Sequence, residues 1–323
     1  MRNRSCGAVA LLVAFAIPLV ASAQAYPDKP IRVIVPVPAG GTPDVVARMV
    51  SPGLASLLGQ QLVIDNRGGA GGLIGGEMAA KAVPDGYTLF FSSPGSLTIL
   101  PHLQKHVNYD TLRDFAPISL VSVGPFLLIT HPSVPAKTVK ELLALAKAEP
   151  GKLNYASAGN GAANHLAMEL FKSMAGVNLV HIPYRGPAEA LNALVMNEAQ
   201  VEIQSMLSAT PFVQGGRLRL LATTGSKRLA EYPDVPTVAE AAVPGYAVYT
   251  WFGVVAPAGV PPPVLARLHA ALVQALTSPE MRRQFTNQGA EVVANTPAEF
   301  SAFLREEVAK WNKVIRDSGA RVD

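Results

Sequence analysis

One device recurs along this sequence: a short β-branched run, then a loop carrying glycine, then residues that start a helix. Residues 31–35 run into Pro36-Val37-Pro38-Ala39-Gly40-Gly41 and then Thr42-Pro43-Asp44. Thr42 is placed to cap a helix, Pro43 suits the first turn because its missing N–H would be unpaired anyway, and Asp44 favours the positive end of the helix dipole. Residues 62–65 lead into Arg67-Gly68-Gly69-Ala70-Gly71-Gly72 and a helix through Ala82, and residues 88–91 make a third strand. Strands that alternate with helices in this way bury both faces of a parallel sheet, so the expected class is α/β.

The pattern restarts past Leu120. Residues 125–130 read as a strand, Thr138 with Glu141 makes a capping box, and residues 153–156, 179–182 and 218–223 add three strands with helices between. A chain of 323 residues exceeds the size at which one core usually stops growing. Two lobes are expected: residues 26–122 completed by 245–323, and residues 123–244. The return to the first lobe is read from a stretch rich in proline and glycine, 254–263, followed by helices over 263–276, over 278–288 and from Thr296. Thr296 and Glu299 cap the last helix, which carries Phe300, Leu304 and Trp311 on one face. The cluster Tyr246, Tyr249, Trp251 and Phe252 reads as core or hinge packing.

The first 25 residues read as a cleavable secretion signal. Arg2 and Arg4 make a positive start, residues 8–20 are an apolar run broken by Pro18, and Ala21-Ser22-Ala23-Gln24-Ala25 offers small residues for cleavage before Gln24 or Tyr26. The run is shorter than the roughly 20 residues a membrane span needs. The expected location is the periplasm. Cys6, the one cysteine, precedes the apolar run, so the processed chain has no thiol for a disulfide, a nucleophile or a metal. Losing Arg2 and Arg4 takes the formal charge from +4 to +2. Dispersed charge of that size excludes a nucleic-acid stripe, and the expectation is a monomer with no cofactor.

Three glycine loops leave a strand and enter a helix: Pro38-Ala39-Gly40-Gly41-Thr42, Ser157-Ala158-Gly159-Asn160-Gly161-Ala162 and Pro183-Tyr184-Arg185-Gly186-Pro187. Glycine lets the backbone approach a ligand, and a helix start offers unpaired N–H groups with a positive partial charge. In open α/β sheets such loops sit at the carboxyl ends of the strands, where ligands bind. No phosphate-loop motif occurs, and Gly159 to Asn164 lacks the third glycine of the dinucleotide fingerprint. A carboxylate remains as the expected anion. Asp44 reads either as a cleft residue for an ammonium or a water, or as a helix-start residue only. Tyr184 and Arg185 sit in the third loop itself, and Ser92-Ser93 and Ser205 at strand ends could donate hydroxyls.

Two rival chemistries are weaker. A serine hydrolase would use Ser157 with Asp234 and His269, but Tyr155 stands where the nucleophile elbow has its first glycine, and His269 falls inside a helix. His102 and His106 have metal-ligand spacing without the glutamate of the zinc-protease pattern or a third ligand. An interaction protein would need repeats or an exposed apolar face, and neither is evident.

Several segments together resemble a known family. These are Tyr26-Pro27-Asp28-Lys29-Pro30-Ile31, Pro38-Ala39-Gly40-Gly41 with Asp44 and Arg48, Gly69-Ala70-Gly71-Gly72, and Pro84-Asp85-Gly86-Tyr87-Thr88. Tyr155-Ala156-Ser157-Ala158-Gly159, His181-Ile182-Pro183-Tyr184-Arg185-Gly186 and Pro233-Asp234-Val235-Pro236-Thr237 follow in order. The set is similar to the Bug receptors, the solute-binding components of tripartite tricarboxylate transporters. The resemblance implies two α/β lobes in a Venus-flytrap arrangement, a small carboxylate in the cleft, and membrane permease subunits as partners. It implies ligand contacts from the first loop, here Ala39, Gly40, Gly41 and Thr42, and from Ser157 to Ala162. Ala162 stands where a serine is common in the family, and Thr42-Pro43 occupy a variable stretch.

Overall fold

A computed structural model describes residues 26–104, 106–287 and 289–318; the secretion signal, its cleavage site, Cys6 and Gln288 lie outside them. The chain starts with β1 (Ile31–Val35), α1 (Thr42–Leu58), β2 (Leu62–Asn66), a 3₁₀ turn (Ala70–Gly72), α2 (Leu73–Ala80) and β3 (Thr88–Ser92). A π-turn (Gly95–Ile99) runs into α3 (Leu100–Leu103), followed by α4 (Thr111–Asp114) and the long β4 (Phe115–Thr130). Then come α5 (Val139–Ala148), β5 (Asn154–Ser157), α6 (Ala163–Ala175), β6 (Val180–Pro183), α7 (Pro187–Val195), β7 (Val201–Ser205) and α8 (Met206–Gln214). The chain finishes with β8 (Arg219–Thr223), α9 (Val238–Ala241), β9 (Tyr249–Pro257), α10 (Pro262–Leu276), α11 (Pro279–Thr286), β10 (Glu291–Val292) and α12 (Pro297–Ser318).

The strands form one path, β2-β1-β3-β9-β4-β7-β5-β6, with β8 and β10 also pairing with β4. Strand β1 is parallel to β2 and β3, and β5 is parallel to β6 and β7. The two parallel groups are joined by antiparallel strands: β9 pairs with β3 and β4, and β4 pairs with β7 and β8. The sheet is therefore mixed, and the expectation of parallel strands holds for its two ends but not for its middle. Residues 125–130 prove to be only the second half of β4. Its first half contains Pro117, and bulges between Pro117 and Ser119 and between Leu120 and Ser122 restore the register with β9. The aromatic cluster ahead of residue 254 belongs in part to β9, a strand in the middle of the sheet; β10 also goes beyond the sequence reading, as does the extent of β7, of which only the end at Ser205 was read.

Packing follows the two halves of the sheet. One half is packed on both faces, with Ile31, Val50, Leu268 and Phe285 in one cluster and Phe90, Trp251 and Phe300 in another. The other half centres on Leu128, Tyr155, Phe171, Val201 and Tyr246, and this core also takes in Trp311. Helix α12 thus serves both halves: Phe300 and Leu304 pack on the first and Trp311 on the second. Between them Glu307 Oε2 accepts from the indole N–H of Trp251 at 2.8 Å and from that of Trp311 at 3.0 Å. Gly253 in β9 lets the helix approach, because a Cβ there would lie 2.3 Å from the Phe300 ring. The sequence reading put this helix with one lobe, whereas it ties the two together.

Candidate functional site

Between the two halves lies a cavity of about 500 Å³. Its wall is assembled from helix starts. Thr42 and Pro43 come from the start of α1, Gly72 precedes α2, Gly95 begins the π-turn, Ala162 to Asn164 open α6, Gly186 and Pro187 open α7, and Ser205 precedes α8. At none of these six starts does a side chain cap the backbone N–H groups. N-termini without side-chain caps put positive partial charge around one volume. Among the described residues on the wall, Arg185 is the only charged side chain. Pro36, Val37, Phe126 and Phe252 make much of the remainder apolar. An anion with an apolar body meets this surface on its own terms, and a cation does not.

The two halves touch around the cavity. The hydroxyl of Thr42 lies 3.0 Å from that of Ser205 and 2.6 Å from that of Ser208. A Cβ on Gly186 would meet Pro38 at 3.5 Å, and one on Gly71 would lie 3.0 Å from the Asn160 carbonyl oxygen. At Gly71, φ of +67° already favours glycine. The two halves thus meet directly at the rim of the cavity.

Of the residues singled out in the sequence, Thr42, Gly159, Ala162, Tyr184, Arg185 and Ser205 reach the cavity wall. Ala39 and Gly41 line a smaller adjoining hollow with Arg185 and Glu189, and Gly40 lies outside both. Asp44 does not face the cavity. Its carboxylate accepts from the Gly40 N–H at 2.9 Å, from Asn66 Nδ2 at 2.9 Å and from Arg48 Nε, and so clamps the loop between β1 and α1. Burial opposes its charge, but the hydrogen bonds from Arg48, Gly40 and Asn66 win and hold the carboxyl below its usual range. Ser92 is also turned inward, its hydroxyl 2.6 Å from that of Ser96; its neighbour Ser93 lines the cavity instead. Asn160 and Gly161 lie off the wall: Asn160 is exposed with its carbonyl close to Gly71, and Gly161 packs against Leu100.

Ser157 is fully buried and lies off the cavity wall. Its Oγ is 2.6 Å from His181 Nε2, and it accepts from the Gly159 N–H at 3.1 Å. His269, the histidine of the hydrolase reading, packs instead with Nε2 3.2 Å from the Asn295 carbonyl. The rings of Tyr155, His165 and His181 stack beneath the loop, and His165 Nδ1 accepts from the Gly161 N–H at 3.1 Å. Burial pushes His165 down to about 4, and burial with the neighbouring His165 pushes His181 down to about 3. Both imidazoles are neutral at ordinary pH, as acceptance by Nδ1 of His165 requires. His102 and His106 have no third partner: the described residues contain no group of three His, Cys, Asp or Glu able to hold a metal.

Two amide side chains on the wall went unnoticed in the sequence, and they differ. Gln204 is saturated: Nε2 donates to the Pro187 carbonyl at 3.1 Å and to Glu202 Oε1 at 2.8 Å, while Oε1 accepts from the Ser205 N–H at 2.8 Å. Asn164 is saturated on one side only. Its Oδ1 accepts from the Ala158 N–H at 3.2 Å, and its buried Nδ2 has no partner.

The family model described as "Tripartite tricarboxylate transporter family receptor" matches residues 46–320. Protein BugT of Bordetella pertussis is 37% identical over 302 residues, covering 93% of each chain. Among solved structures, Rpa4515 of Rhodopseudomonas palustris with adipate superposes with a TM-score of 0.89 at 33% identity, covering 92% of this chain and 100% of its own. MatC from the same organism, with bound malate, gives 0.86 at 32% identity, over 90% of this chain and 100% of its own.

Proposed function

Because the chain belongs to the family of tripartite tricarboxylate transporter receptors, we propose that its interlobe cavity captures a small carboxylic acid in the periplasm and presents it to membrane permease subunits. It is a solute-binding receptor and not an enzyme. The observation that carries the ligand class is the set of six helix starts without side-chain caps around a wall on which, among the described residues, Arg185 is the single charged side chain. Rpa4515 and MatC hold adipate and malate, which supports an acid of about that size with two polar ends.

Capture follows from the same geometry. Residues 26–122 with 245–323 form one lobe and residues 123–244 the other, the later turns of α12 packing on the second lobe, and β4 and β9 cross between them as the hinge. An acid that touches helix starts from both lobes favours the closed state by its differential affinity for it. Thr42, Ser205 and Ser208 then latch across the mouth. The secretion signal read in residues 1–25 delivers the chain to the periplasm, where it acts as a monomer.

The test is a thermal-shift and calorimetric screen of C4 to C6 diacids, acidic amino acids and aromatic acids, each paired with its amide. At about 100 times its dissociation constant a bound acid adds about 2.7 kcal/mol of stability. The diamide keeps the shape, loses the charge-assisted hydrogen bonds and should add almost none of it. Stabilisation by diamides or neutral sugars equal to that by the acids would overturn the reading.

A further inference from the structure

We propose that His165 is a positioning residue of the acid site, holding the loop between β5 and α6 from beneath through Nδ1, an inference that rests on the cavity being that site. The three glycine loops share one device. The third residue of each following helix reaches back to the backbone N–H of the residue before the N-cap: Asp44 to Gly40 at 2.9 Å, His165 to Gly161 at 3.1 Å and Glu189 to Arg185 at 3.0 Å. At the periphery Glu141, Glu240 and Glu299 occupy the same position in α5, α9 and α12 and likewise accept from a backbone N–H just before the helix. A carboxylate is the ordinary choice there, because it accepts and also favours the positive end of the helix dipole. Of these six helices only α6 has no carboxylate at the position.

Charge explains the exception. Glu189 is exposed, so water carries its charge, and Asp44 is buried but paired with Arg48 at 2.9 Å. His165 is 6% exposed and has neither remedy. The rings of His181 and Tyr155 stack with it, and the nearby Lys172 ammonium is already held by Glu169 at 2.6 Å. A carboxylate in its place would be buried and unpaired behind a wall that is to receive an anion. An imidazole that burial keeps neutral supplies the same acceptor without the charge. What it holds bears on the site. Ala158, Gly159, Ala162, Ala163 and Asn164, on either side of Gly161, line the cavity, while His165 itself lies off the wall. Gly161 sits against the other half of the molecule, where a Cβ would lie 2.4 Å from the Leu100 side chain. Releasing Gly161 therefore disturbs both the wall and the seat of one half on the other.

The experiment compares three variants of the full processed chain, titrated calorimetrically with malate, succinate and adipate. His165→Leu removes the acceptor and should weaken binding of the preferred acid by about 10-fold. His165→Gln restores an uncharged acceptor of the kind a capping box uses and should recover the affinity to within about threefold of the unaltered protein. His165→Glu restores the acceptor on a carboxyl group, so its loss should grow between about pH 6 and 8 as that group ionises, reaching about 100-fold, while the glutamine variant stays flat. A role confined to folding would lower the melting temperatures without this order of affinities or this pH profile. Binding by H165L within twofold of the unaltered protein, or by H165Q no better than by H165L, would overturn the proposal while leaving the acid site intact. Should H165L fail to fold, the glutamine and glutamate variants carry the test, and equal affinities at about pH 8 would overturn it. Failure of the unaltered protein to bind any acid would overturn the site and this proposal with it.

Discussion

The helices of this molecule start in two different ways. At the periphery a side chain closes the start. Asp110 accepts from the N–H groups of Leu112 and Arg113 in α4, Thr138 from Glu141 in α5, Thr237 from Glu240 in α9, Ser278 from Met281 in α11 and Thr296 from Glu299 in α12. At α10 three successive prolines, Pro261 to Pro263, lower the number of donors needing a cap. Around the cavity the residues before the helices are Gly41, Gly72, Pro94, Ala162, Gly186 and Ser205, and none of them caps. A cap is worth about 1 kcal/mol, so six missing caps forgo several kcal/mol that the chain evidently can collect elsewhere. On the proposed function, donors that would stabilise the protein alone are kept for the ligand.

The contrast breaks most sharply if a cavity helix is given its own cap. Ala162 has the extended backbone, φ −65° and ψ 153°, that a capping residue adopts. Ala162→Asp should occupy the first N–H groups of α6 with an internal carboxylate, raise the stability of the empty protein by about 0.5–2 kcal/mol and weaken acid binding by about 100-fold or more. Calorimetry and thermal melts of the same preparation measure both. A stabilised variant that still binds acid normally would erase the distinction between the two classes.

A smaller effect is expected from the latch. Thr42→Val keeps the shape but removes the hydroxyl shared with Ser205 and Ser208, and a hydrogen bond contributes a net of about 1 kcal/mol. Acid affinity should fall by about fivefold, and small-angle scattering of the empty protein should give a larger radius of gyration than for the unaltered chain. An unchanged radius and affinity would mean that the hydroxyls do not bias closure.

At the periphery, Thr138→Ala should cost about 1 kcal/mol of stability, a few degrees in Tm for a protein of this size, and leave acid affinity where it was. A loss of affinity would show that peripheral caps are coupled to the site.

The smallest change is expected from pH. His165 and His181 are held neutral, at about 4 and about 3, so acid affinity should be flat between about pH 7 and 8, and a calorimetric pH series checks this. For stability the sign is definite. In the unfolded chain histidines take up protons near pH 6.5, so between there and the folded values the unfolded state binds more protons. Stability is therefore undiminished by these groups above about 6.5 and falls as the pH drops toward 4. His181→Gln should flatten part of that slope in melts across pH 4–7.

Most strands of both parallel groups could be read as short apolar runs between glycine loops, β1 (Ile31–Val35) being the plainest because it is buried and β-branched, although the edge strands β2 and β6 are half-exposed. The rest was hidden by residues whose usual meaning is reversed here. Pro117 looks like a break and Pro125 like a strand start, yet β4 runs through both, with bulges after Pro117 and after Leu120. In β7, Glu202 and Gln204 suggest a solvent face, yet both are buried, and burial pushes the Glu202 carboxyl well above its usual range. At the site the glycine loops were legible, and Thr42, Gly159, Ala162, Tyr184, Arg185 and Ser205 do reach the cavity. A sequence places a residue in a loop without saying which way its side chain turns. Asp44, Ser92 and Ser157 turn inward to Arg48, Ser96 and His181. Asn164 looked like any residue of a first helical turn until its oxygen was found engaged and its nitrogen free.

The two-sided packing of α12 also has a consequence for synthesis. Strand β9 must insert between β3 and β4 before the first half of the sheet is whole, and the core of the second half is not sealed until Trp311 arrives. A ribosome adds about 5–20 residues per second, so for most of its synthesis the nascent chain lacks the pieces that either half needs. Neither half can settle early and wait for the other. The native state is reached only once the end of the chain has been made, with loops of well over a hundred residues closing late, and folding should be correspondingly slow.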